Sequence, residues 1–285
     1  MPGVVLVNPE SGPGQTAVAD LRARFEGHTV EEIEPDRLDE QVDKAVADGA
    51  DFVGVAGGDG TVRAVAERLV ALGADTPLLP VPTGTRNHFA KDVGLPSVED
   101  AAAAARAGRA GRVIGVDVGR VNGRCFVNNS SVGVYPKIVV RREIREHRLR
   151  KPVATVVAAW EQLRHGRRVD VTVDGEPHAA WLVFVGNGRY GKGLLDLADR
   201  ESLDEHVLDL RVVRADRPLA RMRVAGALLL GRLARSPLLF TKTATAATVD
   251  MARPRVEVAL DGEVFEVDTP LRYESLPLAL RVLVG

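Results

Sequence analysis

A chain of 285 residues with a single cysteine, Cys125, cannot form an internal disulfide, so its cohesion has to come from a packed core. Aromatic residues make up only 4%, which disfavours a base-stacking surface for nucleic acid. The formal net charge is -1, so no overall positive field argues for a nucleic-acid partner either. No uninterrupted apolar run reaches the roughly 18 residues of a spanning helix. The opening MPGVVLVNPESG lacks the charged start and sustained apolar core of a secretory signal. The expectation is a cytoplasmic protein, with any membrane contact peripheral, at the inner face.

What is present is apolar material for a real core, 45% of the chain, and an uneven distribution of charge. Residues 26–51 carry ten acidic side chains against two basic ones, and residues 137–151 carry seven Lys or Arg against two Glu. The basic run reads either as a solvated helix face or as a patch for anionic headgroups or a phosphorylated ligand. Residues 222–240, MRVAGALLLGRLARSPLLF, read either as a helix packed on its own domain or as an interfacial segment. A homodimer is compatible with the sequence and is not specified by it.

The first third alternates strand-like and helix-like segments. Apolar runs at 4–8, 29–33, 52–57 and 77–82 are separated by helical patterns at 15–27, 38–50 and 61–73, with another at 98–108. That spacing implies crossover connections and a mainly parallel sheet. From about residue 112 the texture changes to short β-branched runs, with helical insertions near 136–165 and 218–235. Asn-Gly at 122–123 and Asp-Gly at 174–175 and 261–262 are hairpin signals. The predicted fold class is α/β + β: an N-terminal parallel α/β domain over 1–112 and an antiparallel, β-sandwich-like domain over 113–275. The closing segment 276–285 either stays in the second domain or completes the first.

Four glycine-rich segments compete as phosphate loops. NPESGPG (8–14) follows a strand and precedes a helix, where backbone N–H groups and the helix dipole favour an anion, but it lacks a Walker ending. GGDGT (57–61) sits in the same context. Its glycines permit positive φ or close backbone approach, and Asp59 puts a carboxylate where a Mg²⁺ would bridge phosphates. PTGTRNHFAKDVGLP (82–96) clusters Thr83, Thr85, Arg86, Asn87 and His88 at a third strand end, the edge at which open parallel sheets bind ligands. GNGRYGKG (186–193) mimics a Walker loop but ends in Gly193 and runs into a poor helix, so it is rejected as one. Arg189 and Lys192 remain available to a ligand.

Taken in order, NPESG (8–12), GGDGT (57–61), PTGTRNHFA (82–90), VGNGRYGKG (185–193), SLDEHVLDL (202–210) and ALDGE (259–263) resemble the diacylglycerol kinase catalytic-domain family of lipid kinases. The resemblance implies a nucleotide-carrying α/β domain, a β-rich substrate domain and an active site in the cleft between them. It implies transfer of the γ-phosphoryl group of ATP to a lipid hydroxyl with Mg²⁺. By that resemblance Asn8, Pro9, Ser11 and Gly12 lie near the nucleotide; Gly57, Gly58, Gly60 and Thr61 cradle its phosphates, with Thr85 nearby; and Asp59 binds the catalytic Mg²⁺. Arg86, Asn87, His88, Asn187 and Lys192 are the candidate substrate contacts. ALDGE supplies the general base, either Asp261 or Glu263. The same letters at 174–176 fall in a hairpin without a family counterpart and read as a turn.

The chain departs from the family pattern at three places. Arg63-Ala64 stands where Asn-Glu is common, His88 where the family has Asp, and Glu205-His206 where it has the Asp-Gly of a structural Mg²⁺ loop. Glu205 is thus the ligand carried over for a second metal, on a loop that has lost its usual Asp-Gly. Losing one carboxylate and gaining an arginine predicts a more positive cleft, suited to a negatively charged substrate. NAD kinase, which shares GGDGT, is the alternative enzyme, and a non-catalytic nucleotide- or lipid-binding homologue the alternative class.

Overall fold

The computed structural model describes residues 2–11, 18–133, 168–191, 200, 202–216 and 236–285. Gly12, Lys192, the insertions predicted near 136–165 and 218–235, and the whole basic run 137–151 lie outside the described residues. Of the Leu- and Arg-bearing segment 222–240, only its end is described, where Leu239 and Phe240 open a strand. The chain divides into two compact units, one of residues 1–118, 125–127 and 276–285, the other of 119–124 and 128–275.

In the first unit, strands β1 (Val4–Val7), β2 (Thr29–Glu32), β3 (Val53–Gly57) and β4 (Leu78–Pro82) form a parallel sheet in the order β4-β3-β1-β2. Helices α1 (Val18–Arg24), α2 (Leu38–Ala47), α3 (Asp59–Leu72), α4 (His88–Asp92) and α5 (Val98–Ala107) connect and cover it. Burial explains the sequence texture. β3 is buried at every position and β4 at all but its last, as expected when helices cover both faces of a parallel sheet, so both read as unbroken apolar runs. β2 lies at the edge, with Val30 buried, Glu31 half-buried, and Thr29 and Glu32 exposed. Helix α3 stops at Gly73, which adopts the left-handed conformation (φ 59°), and α5 starts on a capping box between Ser97 and Asp100. Four buried alanines let α5 lie close on β4.

The remaining strands are β5 (Arg112–Val121), β6 (Arg124–Phe126), β7 (Asn129–Gly133), β8 (Val169–Val173), β9 (Glu176–Asn187), β10 (Leu208–Arg214), β11 (Leu239–Ala244), β12 (Ala246–Met251), β13 (Arg255–Leu260), β14 (Glu263–Asp268) and β15 (Leu271–Val284). The ends of β5 and β15 belong to different units, and Val282 near the end of β15 pairs in parallel with Leu78 of β4. In the second unit pairing is antiparallel around β9, which is hydrogen-bonded to β7, β8 and β10, with β13 and β14 continuing from β7. This is a β-sandwich-like unit following an α/β unit, the fold class expected from the sequence.

Three Asx-Gly turns close hairpins in this region: Asn122-Gly123, Asp174-Gly175 and Asp261-Gly262, each with both residues at positive φ. Each Asx side chain is also clamped. Asn122 Nδ2 donates to the carbonyls of Asp268 and Pro270 (2.7 and 3.1 Å), and its Oδ1 accepts from Arg272 N (2.7 Å). The 174–176 copy of DGE is the turn expected: Asp174 accepts from Lys242 Nζ and Thr248 N.

Candidate active site

The carboxyl ends of β1, β3 and β4 bring three of the sequence loops together in the first unit. Asn8, directly after β1, donates from Nδ2 to Thr61 Oγ1 (3.1 Å), and its Oδ1 accepts from Glu10 N (3.0 Å). Ser11 and Thr83 share a hydroxyl hydrogen bond of 2.8 Å, which ties the loop after β1 to the loop after β4. Pro9 lies in the turn between Asn8 and Ser11, whose N–H donates to the Asn8 carbonyl.

The glycines of GGDGT act by closeness. None of Gly57, Gly58 and Gly60 has positive φ, so the left-handed alternative raised by the sequence is not used. A Cβ on Gly57 would stand 2.7 Å from Thr61 Cβ, and one on Gly84 would stand 2.5 Å from the Gly58 Cα. Two backbones therefore touch where the loops after β3 and β4 meet. Asp59 is the first residue of α3, a 14-residue helix whose opening N–H groups have no carbonyl partner within the helix. Its carboxylate accepts from His88 N (3.2 Å) and Phe89 N (3.1 Å), so Asp59 also fixes the start of α4. Asn87 precedes that helix at φ 52° and donates from Nδ2 to the Gly84 carbonyl (2.7 Å). Thr85 is exposed and Arg86 half-buried in the same loop.

The electrostatic expectation for this region needs correction. Arg63 is buried, 5% exposed, and pairs with Glu67 one turn along α3 at 2.5 Å, so its charge is compensated within the helix. Burial pushes the His88 imidazole below its ordinary value, although Asp59 and Asp92 pull it back. Having His88 where the family has a carboxylate removes one negative charge from this loop.

In the second unit, the turn holding Asp261 is locked to the start of β7. Asp261 Oδ1 accepts from both Asn128 N (2.8 Å) and Asn129 N (2.9 Å). Glu263, two residues on, opens β14 and is exposed. Asn128, which sequence reasoning missed, is a junction. Its carbonyl accepts from Asn187 N and Tyr190 Oη (both 2.8 Å), and its Oδ1 accepts from Arg200 (3.1 Å). Asn187 itself is 2% exposed at the end of β9. Glu205 accepts from Arg189 N (3.3 Å), and its side chain is ion-paired with Arg189 Nε at 3.6 Å.

Asp59 fits one Mg²⁺. Such an ion is commonly held by one or two carboxylates and substrate phosphates, and Asp59 is a carboxylate at the meeting point of the loops after β3 and β4. Among the described residues no group of three or more His, Cys, Asp or Glu side chains converges, so no all-protein metal cage is present there.

Comparison with known proteins places the chain. Residues 2–121 match the diacylglycerol kinase catalytic domain, and residues 132–284 match the YegS C-terminal NAD kinase beta sandwich-like domain. The chain belongs to the diacylglycerol kinase catalytic-domain family. It is 31% identical over 300 residues to a diacylglycerol kinase of Mycobacterium tuberculosis H37Rv, covering 98% of this chain and 93% of that one. It is 30% identical over 245 residues to a protein of Pseudomonas aeruginosa PAO1 named as a YegS-like lipid kinase, covering 85% of this chain and 79% of the relative. The fold matches the crystal structure of a diacylglycerol kinase from Bacillus anthracis Sterne with a TM-score of 0.68 at 22% identity, over 100% of this chain and 97% of the other. Family membership makes this a kinase, as the six sequence segments implied.

Proposed function

We propose that this chain transfers the γ-phosphoryl group of ATP to the hydroxyl of diacylglycerol or a related lipid, with Mg²⁺. The observation that carries the reading is the junction at Asp59: glycine-to-glycine backbone contact, the N-terminus of α3 and one carboxylate lie together at the carboxyl edge of a parallel sheet. Gly57, Gly58, Gly60 and Thr61 present backbone N–H groups to phosphate, flanked by Asn8, Pro9, Ser11 and Thr85. Asp59 holds the metal, which when bound neutralises charge on the transferring phosphoryl group. Residues 1–112 carry the nucleotide in this reading, and 113–275 serve the lipid.

Of the two base candidates, we assign the proton to Glu263. Asp261 Oδ1 is engaged by two backbone donors that hold its hairpin, whereas Glu263 opens β14 exposed. As the lipid oxygen bonds to the γ-phosphorus, the bond to the bridging oxygen breaks, ADP leaves and the hydroxyl proton passes to the Glu263 carboxylate. The lipid is met at a bilayer surface by a peripheral protein, and binding to anionic vesicles is expected to weaken with salt.

The test is transfer of ³²P from [γ-³²P]ATP to a total lipid extract with Mg²⁺, with NAD as the competing acceptor. A labelled lipid that migrates as a phosphatidate supports the proposal. Label in NAD instead sinks it in favour of an NAD kinase. No label in either, with ATP binding intact by calorimetry, shifts the reading to another soluble acceptor or to a non-catalytic homologue.

A further inference from the structure

One cavity lies wholly within the first unit and includes neither Asp59 nor the loops after β1, β3 and β4. Its volume of about 310 Å³ stands near the lower end of the range for small-molecule sites, about 300–1,000 Å³. The floor is apolar: Val93 and Leu95 follow α4, Val284 ends β15, and all three are buried. Ala103, at an exposed position of α5, gives it a low wall. Gly94 lines it at φ 83°, and a Cβ there would meet nothing within 4 Å.

Two opposite charges flank this floor. Asp100 lies on α5 one turn before Ala103, so the two share a face of the helix. Its Oδ2 accepts from Ser97 N (3.1 Å) and Ser97 Oγ (2.6 Å), while among the described residues its Oδ1 has no partner. Arg112 opens β5 exposed, and among the described residues its guanidinium has neither a hydrogen bond nor an ion pair. A surface arginine without a partner is ordinary. One that shares a concave apolar site with an unneutralised carboxylate oxygen asks for a ligand of both charges.

The other common ligand classes fit poorly. A metal ion would find one carboxylate and a guanidinium facing it. A nucleotide would find one cation for several phosphate charges and no aromatic ring for its base. A short branched molecule with both charges satisfies every wall. Its carboxylate takes the planar guanidinium through paired hydrogen bonds, its ammonium donates to Asp100 Oδ1, and its methyl groups cover the floor.

We propose that this cavity binds a small aliphatic zwitterion, an α-amino acid of the leucine type, and that its occupant steadies α4. That helix has only five residues. Asp59 holds its first N–H groups, and its far end leads into the cavity floor: Val93 N donates to the Phe89 carbonyl (3.1 Å) and Leu95 N to the Ala90 carbonyl (2.8 Å). The site does not depend on the function proposed above, and its test needs neither ATP nor lipid.

The test is calorimetric titration of the full chain with L-leucine, isopentylamine and 4-methylpentanoate. The three share a branched chain and carry both charges, the cation alone or the anion alone. Leucine is expected to bind with one molecule per chain, and each singly charged analogue at least about tenfold more weakly. Ala103→Phe should abolish the heat with Tm unchanged, because it fills the cavity from an exposed position. Arg112→Gln should weaken leucine about tenfold. With leucine at about ten times its Kd, exchange of the Phe89 N–H should slow about tenfold. No leucine heat with the parent chain would overturn the site, and equal binding of all three ligands would overturn the ligand class. Undiminished binding by Ala103→Phe would overturn the placement. Unchanged exchange at Phe89 with leucine bound would overturn the link to α4. If Ala103→Phe does not fold, Arg112→Gln decides the placement, and binding equal to that of the parent chain overturns it.

Discussion

The two units assemble their chemistry by different means. In the first, the groups at Asp59 are mostly backbone, presented by loops short enough to be read as motifs, and the side chains there bridge neighbouring loops of one sheet edge. In the second, Asp261 is held by residues more than a hundred positions away in sequence, and Asn128 joins it to Tyr190, Asn187 and Arg200. A backbone site depends on which positions lack a side chain. A network site depends on which polar atoms find one another. The first should fail by crowding and the second by orphaning.

The sharpest way to break this contrast is at the carboxylates. Asp59→Asn is expected to cost at least about a hundredfold in phosphoryl transfer while circular dichroism stays native. Glu263→Gln should lower kcat by about 10²–10⁴ with no change in melting, whereas Asp261→Asn, which keeps an Oδ1 acceptor, should retain most activity. Asp261→Ala removes the acceptor of the Asn128 and Asn129 N–H groups, the first of them buried, and should cost about 1–3 kcal/mol in denaturant unfolding. Equal kinetic losses for Asp261→Asn and Glu263→Gln would refute the division of roles.

A pair of glycines tests crowding. A Cβ at Gly84 meets the Gly58 backbone at 2.5 Å, but one at Gly58 meets nothing nearer than 3.9 Å. Gly84→Ala should destabilise by about 1–3 kcal/mol, and Gly58→Ala should fold normally and bind ATP more weakly. Normal melting of Gly84→Ala would show that the loops part easily.

The smallest effect expected is a pH dependence carried by the first unit. His28 accepts from Gly3 N through Nδ1 (3.0 Å) and lies against Phe52, and burial lowers its pKa, partly offset by a hydrogen bond to the Ala105 backbone and by Asp51. A depressed histidine binds protons more readily unfolded, so its contribution is complete above the unfolded pKa of about 6.5 and is lost as pH falls below it. Thermal melts from pH 7.5 to 5.5 should fall less steeply in His28→Gln than in the parent chain. Parallel slopes would remove His28 from the account.

The parallel strands and hairpin turns were legible because each rests on a local rule: an unbroken apolar run for a strand covered on both faces, Asx-Gly for a turn with two positive φ values. The loop glycines were legible as a signal but not in mechanism, since their close approach depends on which loops meet. Asn128 was invisible. Nothing in VNNSSV distinguishes an asparagine that serves four partners from one in a polar loop, and its partners come from three other segments. Arg63 misled for the converse reason, because a new arginine reads as charge gained until Glu67, four residues on, is seen to take it up.

The three clamped hairpin turns bear on how the protein ages. Asn-Gly is the dipeptide most prone to deamidation, because the glycine N–H can attack the side-chain carbonyl and close a five-membered imide. At Asn122 that attack requires the side chain to leave the carbonyls of Asp268 and Pro270 and the N–H of Arg272 together. Asp261, prone to the related isomerisation, is tethered by Asn128 and Asn129. The hydrogen bonds that fix these hairpins also slow a chemical clock, and its rate in stored protein reports how often the turns come undone.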